Sequence, residues 1–388
     1  MLKVRPDIIV AGAGVAGIAA AVAAARRGCS VLLVEKSGMI GGTATGGAVG
    51  ALCGLFKNGG DSPGELLNVG IVEEIALALL ETSSVKKIGK VFTLPYSPKQ
   101  LLSVLEILCS SESNLQVMLN GSITSVTVND GVIGVLELAA DIGTCNCSPK
   151  VLIDATGDGS LSFLAGAGYE LSPAGELQMA GFTAALCGIA AGADSLSLKI
   201  PFVIAKGIES ASIAEFFRYT VYYPGTGATE GFLKISLPDC ADSYAVDLPL
   251  QAEKLLCFLA GQLTELENAS IATTSKRLFS REGRRIKGGY RLSAEDVLFG
   301  RKFPDAAVKG AWPMEIWTPG RGVSYRYPPD GDYYEIPAAC LKADGFKNML
   351  LAGRCISVTH EALASTRVIG ICAALGEQAG LEAVKMII

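Results

Sequence analysis

Apolar and polar positions along this chain fall into blocks that predict buried strands separated by helices. Residues 7–11 form an apolar, β-branched run typical of a strand buried on both faces, and residues 31–34 form a second such run. The alanine-rich stretch between them predicts a helix. The same buried-strand pattern returns at residues 151–154 and 349–353. This order of elements predicts an α/β fold built on a parallel sheet.

The segments that follow the first two strands change period twice. Helical spacing of apolar residues predicts amphipathic helices over Glu65–Glu81 and Pro98–Cys109, the second with its proline near the first turn. Leu115–Leu138 has alternating branched residues around Asn129-Asp130-Gly131, which is a hairpin signal. We expect a β-meander here that returns the chain to the parallel sheet. A long helix over Arg367–Met386 then closes the fold.

Residues 160–334 differ in character from the rest of the chain. They combine predicted strands at 202–205 and 232–237 and a long predicted helix at 247–266 with most of the aromatic and paired-proline content. We therefore expect an inserted α+β substrate or cap domain over 160–334. Residues 1–159 and 335–388 would form one discontinuous domain with a Rossmann-like fold, made of the parallel sheet, its helices and the meander.

Three glycines follow the first strand in G-x-G-x-x-G spacing. Gly12 permits the tight turn, Gly14 lets a pyrophosphate approach bare backbone, and Gly17 lets the helix pack closely on the sheet. Phosphates would then lie beside Ala16 at the helix N-terminus, where free N–H groups favour negative charge. Glu35 ends the second strand, where its carboxylate can accept both hydroxyls of an adenosine ribose. The motif predicts a bound dinucleotide but does not separate FAD from NAD.

A second glycine cluster favours FAD. It follows Lys36 and contains Gly41, Gly42, Thr43 and Thr45. Such a loop would bring backbone N–H groups and threonine hydroxyls to the far side of the pyrophosphate and to the ribityl chain. NAD-binding folds have no need of such a loop. The alternative interpretation is a flexible surface loop.

Small-residue turns later in the chain extend the predicted cofactor site. The strand at 151–154 runs into a turn that can lie against a cofactor without a side chain in the way. The further cofactor-binding candidates are Val126 in the meander, Ala155, Thr156, Gly157 and Asp158 in this turn, and Gly353 and Arg354 after the last strand.

Composition narrows the classes of partner. The chain has 388 residues, of which 50% are hydrophobic, but its longest apolar stretches, 11–25 and 179–193, contain glycines and are too short to span a bilayer. Residues 1–7 leave no room for a signal peptide, so we expect a cytoplasmic protein. A net charge of −5 without basic runs argues against nucleic acid. Eleven cysteines without C-x-x-C spacing and a single histidine argue against a metal site, which leaves small molecules.

The sequence resembles the FAD-dependent oxidoreductases of the glutathione-reductase-like superfamily, in particular anaerobe-type flavoproteins distantly related to the flavoprotein subunits of fumarate reductase and succinate dehydrogenase. The motifs that carry the resemblance are G-A-G-V-A-G at 12–17 with Glu35-Lys36, G-G-T-A-T-G-G at 41–47, D-A-T-G-D-G at 154–159, and the longer segments 280–298 and 348–370. The resemblance implies bound FAD, with backbone N–H groups near Val368 and Ile369 facing the flavin N1/O2 edge. The region 41–47 offers no histidine for a covalent link, so we expect non-covalent FAD. Since a second dinucleotide fingerprint is absent, no built-in NAD(P)H site is expected.

The resemblance also implies hydride transfer between flavin N5 and a small polar or anionic organic substrate. His360 is the only imidazole and follows the last predicted strand, so it is the first candidate for a general acid or base. A histidine that only caps a turn is the alternative. The weaker catalytic or substrate-anchoring candidates are Arg281, Glu282, Tyr290 and Arg367. The run 280–285 could instead be a solvated helix face, with Arg285 structural.

Two rival functions stay open at this point. One is an electron-transfer component or an RNA-modifying flavoprotein that acts with a macromolecular partner, and the acidic charge counts against it. The other is a protein that binds FAD structurally and catalyses nothing. A separate electron donor or acceptor protein and a homo-oligomeric assembly are also left open.

Overall fold

The computed structural model describes residues 6–141, 143–190, 195–237, 247–275 and 277–388. Most of the segment 1–7 that underlies the expected cytoplasmic location, and the end of the apolar stretch 179–193, lie outside the described residues. No helix in the described part of the chain is long and apolar enough to cross a membrane.

The described helices and strands are as follows. The strands are β1 Ile8–Ala11, β2 Val31–Val34, β3 Ala51–Leu52, β4 Lys86–Ile88, β5 Val91–Pro95, β6 Leu115–Met118, β7 Ser122–Asn129, β8 Val132–Ala140, β9 Gly143–Cys147, β10 Val151–Asp154, β11 Tyr169–Glu170, β12 Ala180–Cys187, β13 Val221–Pro224, β14 Gly231–Leu237, β15 Ser270–Thr274, β16 Arg285–Ile286, β17 Ala306–Gly310, β18 Met314–Thr318, β19 Gly322–Arg326, β20 Tyr334–Pro337 and β21 Met349–Leu351. The helices are α1 Val15–Arg26, α2 Thr43–Gly46, α3 Ile71–Leu80, α4 Pro98–Ser110, α5 Ser160–Leu164, α6 Leu196–Glu209, α7 Leu248–Ala260, α8 Ala294–Leu298, α9 His360–Thr366 and α10 Ile369–Lys385.

A five-stranded parallel sheet in the order β21-β10-β1-β2-β6 organises the fold. Strands β1 and β2 are apolar and buried at every position because both faces of the sheet are covered, and the inner strand β10 differs only in its last residue, Asp154. The backbones of helices α1 and α10 are in direct contact at Gly376. A Cβ on this glycine would come within 2.0 Å of the Ala16 carbonyl oxygen. The prediction of a parallel α/β sheet is confirmed.

The structure corrects the prediction for Leu115–Leu138. Its first four residues are β6, the edge strand of the parallel sheet, because Leu115 pairs with Val31 and Met118 with Val34. The meander is β7-β8-β9, and it turns at Asp130 and Gly131, whose φ angles are 49° and 75°. Two positive φ angles match the hairpin turn that the sequence predicted. The predicted helix at Glu65–Glu81 begins only at Ile71, after Gly70.

A second, antiparallel sheet in the order β13-β14-β12-β15 packs against α6 and α7. Residues 202–205, predicted as a strand, lie in α6. The reason is visible in Leu196, Ile200 and Ile204, which recur every fourth residue and place one apolar face on this second core. The predicted helix at 247–266 is α7, which ends earlier, at Ala260.

Two antiparallel pairs, β17 with β20 and β18 with β19, follow the second sheet. Tyr334 and Met314 in these pairs belong to the first hydrophobic core, together with the parallel sheet. Buried apolar residues of β12, β14, α6 and α7 form the second core. The division into domains at 159/160 and 334/335 stays a prediction.

Candidate functional site

The N-terminus of α1 forms an open cradle. Gly14 is its N-cap and no side chain caps the first turn. A Cβ at Gly14 would meet nothing within 4 Å, whereas a Cβ at Gly17 would come within 1.8 Å of the Gly12 carbonyl oxygen. Gly12 itself has a φ of +96°, which favours glycine. Gly14 therefore borders free space, while Gly12 and Gly17 are required by the packing of the turn.

Glu35 lies at the end of β2 beside this cradle. Its carboxylate accepts the Ala13 N–H at 2.8 Å and, through the other oxygen, the N–H and hydroxyl of Ser37 at 2.9 and 2.8 Å. A carboxylate has about four acceptor positions. About one is left for a ribose hydroxyl, and Lys36 next to it is exposed.

The second glycine cluster packs on the first. Gly41 donates its N–H to the Ala13 carbonyl at 2.7 Å, and a Cβ on Gly42 would stand 3.0 Å from the Gly14 Cα. Thr43 begins α2 and is exposed, whereas the Thr45 hydroxyl donates to the Ile40 carbonyl at 2.8 Å. The loop is therefore ordered against the cradle and is not a free surface loop.

Arg354 joins two more of the predicted turns. Its Nε donates to the Gly157 carbonyl at 2.9 Å and its Nη2 pairs with the Asp158 carboxylate. Thr156 donates its N–H to Asp154 at 3.0 Å, which fixes the turn after β10, and Ala155 is buried. Val126 lies in β7, paired with Leu136, and no described hydrogen bond connects it to the glycine turns.

A second helix N-terminus lies close to the first. Val368 is the N-cap of α10, again without a side-chain cap, and Ile369 begins the helix. A Cβ on Gly353 would stand 2.9 Å from the Ala16 Cβ, so the turn after β21 contacts the start of α1. One N–H of the first turn of α10, that of Gly370, donates to the Cys53 carbonyl at 3.0 Å. The two helix N-termini, with glycine backbone between them, are otherwise suited to phosphates and to an anionic ring edge. These residues fit a bound FAD.

His360 and Glu282 form a dyad of a half-buried imidazole and a buried carboxylate. The His360 Nδ1 lies 3.0 Å from the Glu282 carboxylate, whose side chain is 0% exposed, and the imidazole keeps 26% of its area accessible. The hydroxyl of Ser172 lies 3.1 Å from the same Nδ1. A carboxylate accepts only, so it favours the tautomer with the proton on Nδ1. Nε2 is then left to exchange protons with a ligand.

Further contacts hold the Glu282 carboxylate in place. It accepts the Ser172 hydroxyl at 2.6 Å and the Gln178 N–H at 3.2 Å, and it pairs with the Arg285 guanidinium. Burial raises the pKa of Glu282, but hydrogen bonds from His360 and Ser172 outweigh it and leave the pKa below its ordinary value. The carboxylate is therefore ionised at neutral pH. The run 280–285 is not a solvated face, since Arg281, Glu282 and Arg285 are all buried.

The two candidate arginines, Arg281 and Arg367, differ in how many of their N–H groups are hydrogen-bonded. Arg281 donates to the carbonyls of Met179 and Ala180 and to the Ser236 hydroxyl, which occupies three of its five N–H groups. The Arg367 Nη2 donates to the Glu315 carbonyl at 3.0 Å and to the Gln178 Oε1 at 3.5 Å. The buried Arg367 Nε has no hydrogen-bond partner among the described residues.

Tyr290 belongs to a separate cluster. Its hydroxyl donates to Asp296 at 2.9 Å, and its ring packs on Phe303. Its hydroxyl proton is therefore donated to Asp296, and the candidate role of Tyr290 in substrate anchoring stays a prediction.

Three charged or aromatic residues near Arg367 were missed by the sequence interpretation. Lys234 lies over the Trp317 ring, with its Nζ 4.9 Å from the ring centroid, and 3.8 Å from the Glu315 carboxylate. Lys234 and Ser236 alternate with apolar residues in strand β14, as in a strand with one solvated face, so nothing in the sequence marked this lysine.

The fold and cradle define a dinucleotide-binding flavoprotein, and comparison with known families narrows the class. Residues 7–387 match the model of the FAD dependent oxidoreductase family, and the chain belongs to that family. It is an enzyme, an FAD-dependent oxidoreductase, and its cofactor is FAD. No curated protein matches the sequence.

Solved structures share the fold at low identity. The chain is similar to a geranylgeranyl bacteriochlorophyll reductase-like protein from Thermoplasma acidophilum, with 12% identity, 99% of this chain and 79% of that chain covered, and a TM-score of 0.50. It is also similar to the flavin-dependent brominase Bmp2, with 13% identity, 99% of this chain and 80% of that chain covered, and a TM-score of 0.53. Its similarity to the OxyS anhydrotetracycline hydroxylase from Streptomyces rimosus has 11% identity, 98% of this chain and 62% of that chain covered, and a TM-score of 0.52. At such identities the likeness concerns the fold alone.

Proposed function

We propose that this oxidoreductase moves a hydride between a small polar or anionic organic substrate and flavin N5, with His360 exchanging the accompanying proton. The His360–Glu282 dyad is the observation that carries the proposal. FAD, when bound, supplies the hydride acceptor or donor. The distant relation to the fumarate reductase flavoproteins and the role of residues 160–334 as a substrate domain are part of this proposal.

The proton step follows from the dyad's hydrogen bonds. When a substrate C–H leaves as hydride, the proton on the adjacent heteroatom has to be removed, and the reverse reaction has to return it. With its Nδ1 proton donated to Glu282, His360 presents a basic Nε2 for that proton. The buried carboxylate then stabilises the imidazolium that forms, as in other histidine–carboxylate pairs.

The alternative of a macromolecular redox or RNA partner has no feature of the described structure in its favour. The net charge of −5 disfavours RNA. A separate electron donor or acceptor, a homo-oligomer and non-covalent attachment of FAD remain predictions.

An anaerobic bleaching screen tests the proposal. The purified yellow holoenzyme is mixed with small hydroxy acids, amino acids and neutral alcohols, and the oxidised flavin absorbance is followed. The dithionite-reduced enzyme is mixed in parallel with keto and unsaturated acids. We expect at least one small organic molecule to reduce or reoxidise the flavin in a His360-dependent manner. Exchange only with a protein or RNA partner would overturn the proposal.

A further inference from the structure

Beside the predicted flavin edge lies a group of side chains that interact with one another, and we call the region they surround the chamber. They are Cys53, Tyr223, Lys234, Glu315, Tyr325 and Arg367. Strand β14 provides one wall. Leu233 and Ile235 point into the second core, so Lys234 points to the opposite face by strand alternation. On the other wall Glu315 pairs with Tyr325 across β18 and β19.

Two side chains of this chamber keep accessible area. Burial lowers the pKa of Lys234 to about 8, yet 27% of its side-chain area is accessible. Tyr325 keeps 45% of its area accessible. Lys234 is therefore partly desolvated and can still be reached from outside the protein.

The charges around the chamber do not balance. Lys234, Arg281 and Arg367 all interact with the carboxylate of Glu315, and Arg367 also interacts with that of Glu282, so three cations face two carboxylates. The Glu315 carboxylate already accepts the indole N–H groups of Trp317 at 2.7 Å and Trp312 at 3.4 Å. Unpaired cations in a desolvated interior are costly, so an anion entering here is favoured.

Open hydrogen-bond donors are concentrated on one side. No hydrogen bond to the Lys234 Nζ is found within the described residues, although it approaches Glu315 at 3.8 Å. The Arg367 Nε and the Gln178 Nε2 are buried and have no hydrogen-bond partner in the part of the chain that the structure describes. The Gln178 Oε1 lies 3.5 Å from the Arg367 Nη2, so these two side chains are neighbours. By contrast Arg281 spends its donors on backbone carbonyls and Ser236.

We propose that the chamber binds a carboxylate group of the substrate, with Lys234 as its ammonium partner and Arg367 and Gln178 as hydrogen-bond donors. The word substrate rests on the function proposed above. A planar carboxylate suits a guanidinium and an amide side by side. The chamber adjoins the start of α10, because the Cys53 carbonyl accepts the Gly370 N–H at 3.0 Å and Arg367 directly precedes the N-cap.

Equilibrium binding to the oxidised holoenzyme tests this inference without turnover. Acetate and benzoate are titrated against their neutral isosteres acetamide and benzamide, and binding is followed by the flavin visible spectrum and by calorimetry. We expect at least one carboxylate to bind and its amide to bind at least about 10-fold more weakly, as for loss of one charged hydrogen bond.

Variants assign the effect to Lys234. Lys234→Met should weaken carboxylate binding by about 10- to 100-fold, and Lys234→Arg should retain most of it. Glu315→Gln, which removes the competing charge, should tighten binding by roughly 10-fold, an effect that a merely structural role does not produce. Lys206→Met, which removes an exposed lysine of α6, is the matched control and should change nothing.

Several results would overturn the inference. They are binding of neither carboxylate, equal binding of the amides, or an unchanged affinity in Lys234→Met. Phenyl phosphate is titrated as a further anion, and tighter binding of phenyl phosphate than of benzoate would also overturn the inference. If Lys234→Met does not fold, the comparison of carboxylate with amide and the Glu315→Gln variant still decide. If the function proposed above fails, the bleaching screen is negative while these binding results stand, so the two failures are distinguishable.

Discussion

Replacing Glu282 by glutamine should remove the negative charge that accepts the His360 Nδ1 proton, with little change in the size of the side chain. The carboxylate accepts from the His360 Nδ1, the Ser172 hydroxyl, Arg285 and the Gln178 N–H. An amide has one oxygen to accept with, and its NH₂ group would face donors. At least one of these buried donors is then left unpaired.

The Glu282→Gln substitution should affect both catalysis and stability. General acid or base catalysis by a positioned histidine contributes about 10²- to 10⁴-fold, and we expect Glu282→Gln to lower kcat by at least about 10²-fold with a smaller change in KM. Removing one partner of a buried ion pair typically costs about 3–5 kcal/mol of stability. Here Glu170, with its carboxylate 3.9 Å from the Arg285 Nη2, offsets part of that cost.

Nuclear magnetic resonance can read the dyad directly, because the chain contains one histidine. Protein labelled with ¹⁵N-histidine should show the tautomer with the proton on Nδ1, and Glu282→Gln should change the tautomer. Glu361→Gln is the matched control, since this neighbouring acid has no described hydrogen bond to the dyad. A wild-type protein with the proton on Nε2, or a Glu282→Gln variant with an unchanged tautomer and wild-type flavin reduction rate, would refute the reasoning.

The same residue fixes a direction of pH dependence. The folded pKa of Glu282 lies below its ordinary value, so its contribution to stability is present above that ordinary value and is lost as pH falls through the folded pKa. Acid unfolding of the wild type, followed by circular dichroism, should therefore be steeper than that of Glu282→Gln. Parallel acid transitions would contradict the assignment of the lowered pKa.

Four further predictions test the cofactor site, the dyad and the binding of an anionic substrate by Arg367. His360→Ala should lower turnover by about 10²- to 10⁴-fold while the FAD content, read from the visible spectrum, stays normal. Gly14→Val should lose FAD but keep the fold, because a Cβ there meets no protein atom within 4 Å, whereas Gly17→Val should fail to fold. Arg367→Lys should raise KM for an anionic substrate, since lysine cannot reproduce the guanidinium fork. Acid precipitation should release the yellow colour, because residues 41–47 contain no histidine, and colour retained by the pellet would show covalent FAD.

The parts of the fold that the sequence predicted are those set by local spacing. The strands at 7–11 and 31–34 and the turn at Gly12–Gly17 were predictable because their hydrophobic and glycine positions lie within one βαβ unit. Residues 202–205 were misassigned because a short apolar run fits a strand or a buried helix equally well. Residues 115–118 were joined to the meander because nothing local reveals that they pair with β2.

The dyad was predictable only as separate residues. His360 and Glu282 were both candidates, the first as the only imidazole and the second within an arginine-rich run. Their contact depends on α9 packing beside the segment before β16, over 78 residues of sequence. Local sequence patterns do not show which residues that far apart are in contact. The role of Glu282 as the partner of the histidine therefore became visible only in the structure.

Lys234 could not be singled out from the pattern of its strand. In a strand with one solvated face, polar residues occupy alternate positions. Strand β14 reads G-F-L-K-I-S-L, so Lys234 and Ser236 alternate with Leu233, Ile235 and Leu237, as they would in such a strand. In the structure every residue of β14 except Lys234 is buried, so both faces are covered and the lysine is carried into the interior. Because an interior ammonium needs an anion, and the Glu315 carboxylate also accepts two indole N–H groups, the structure favours a negatively charged ligand at this position.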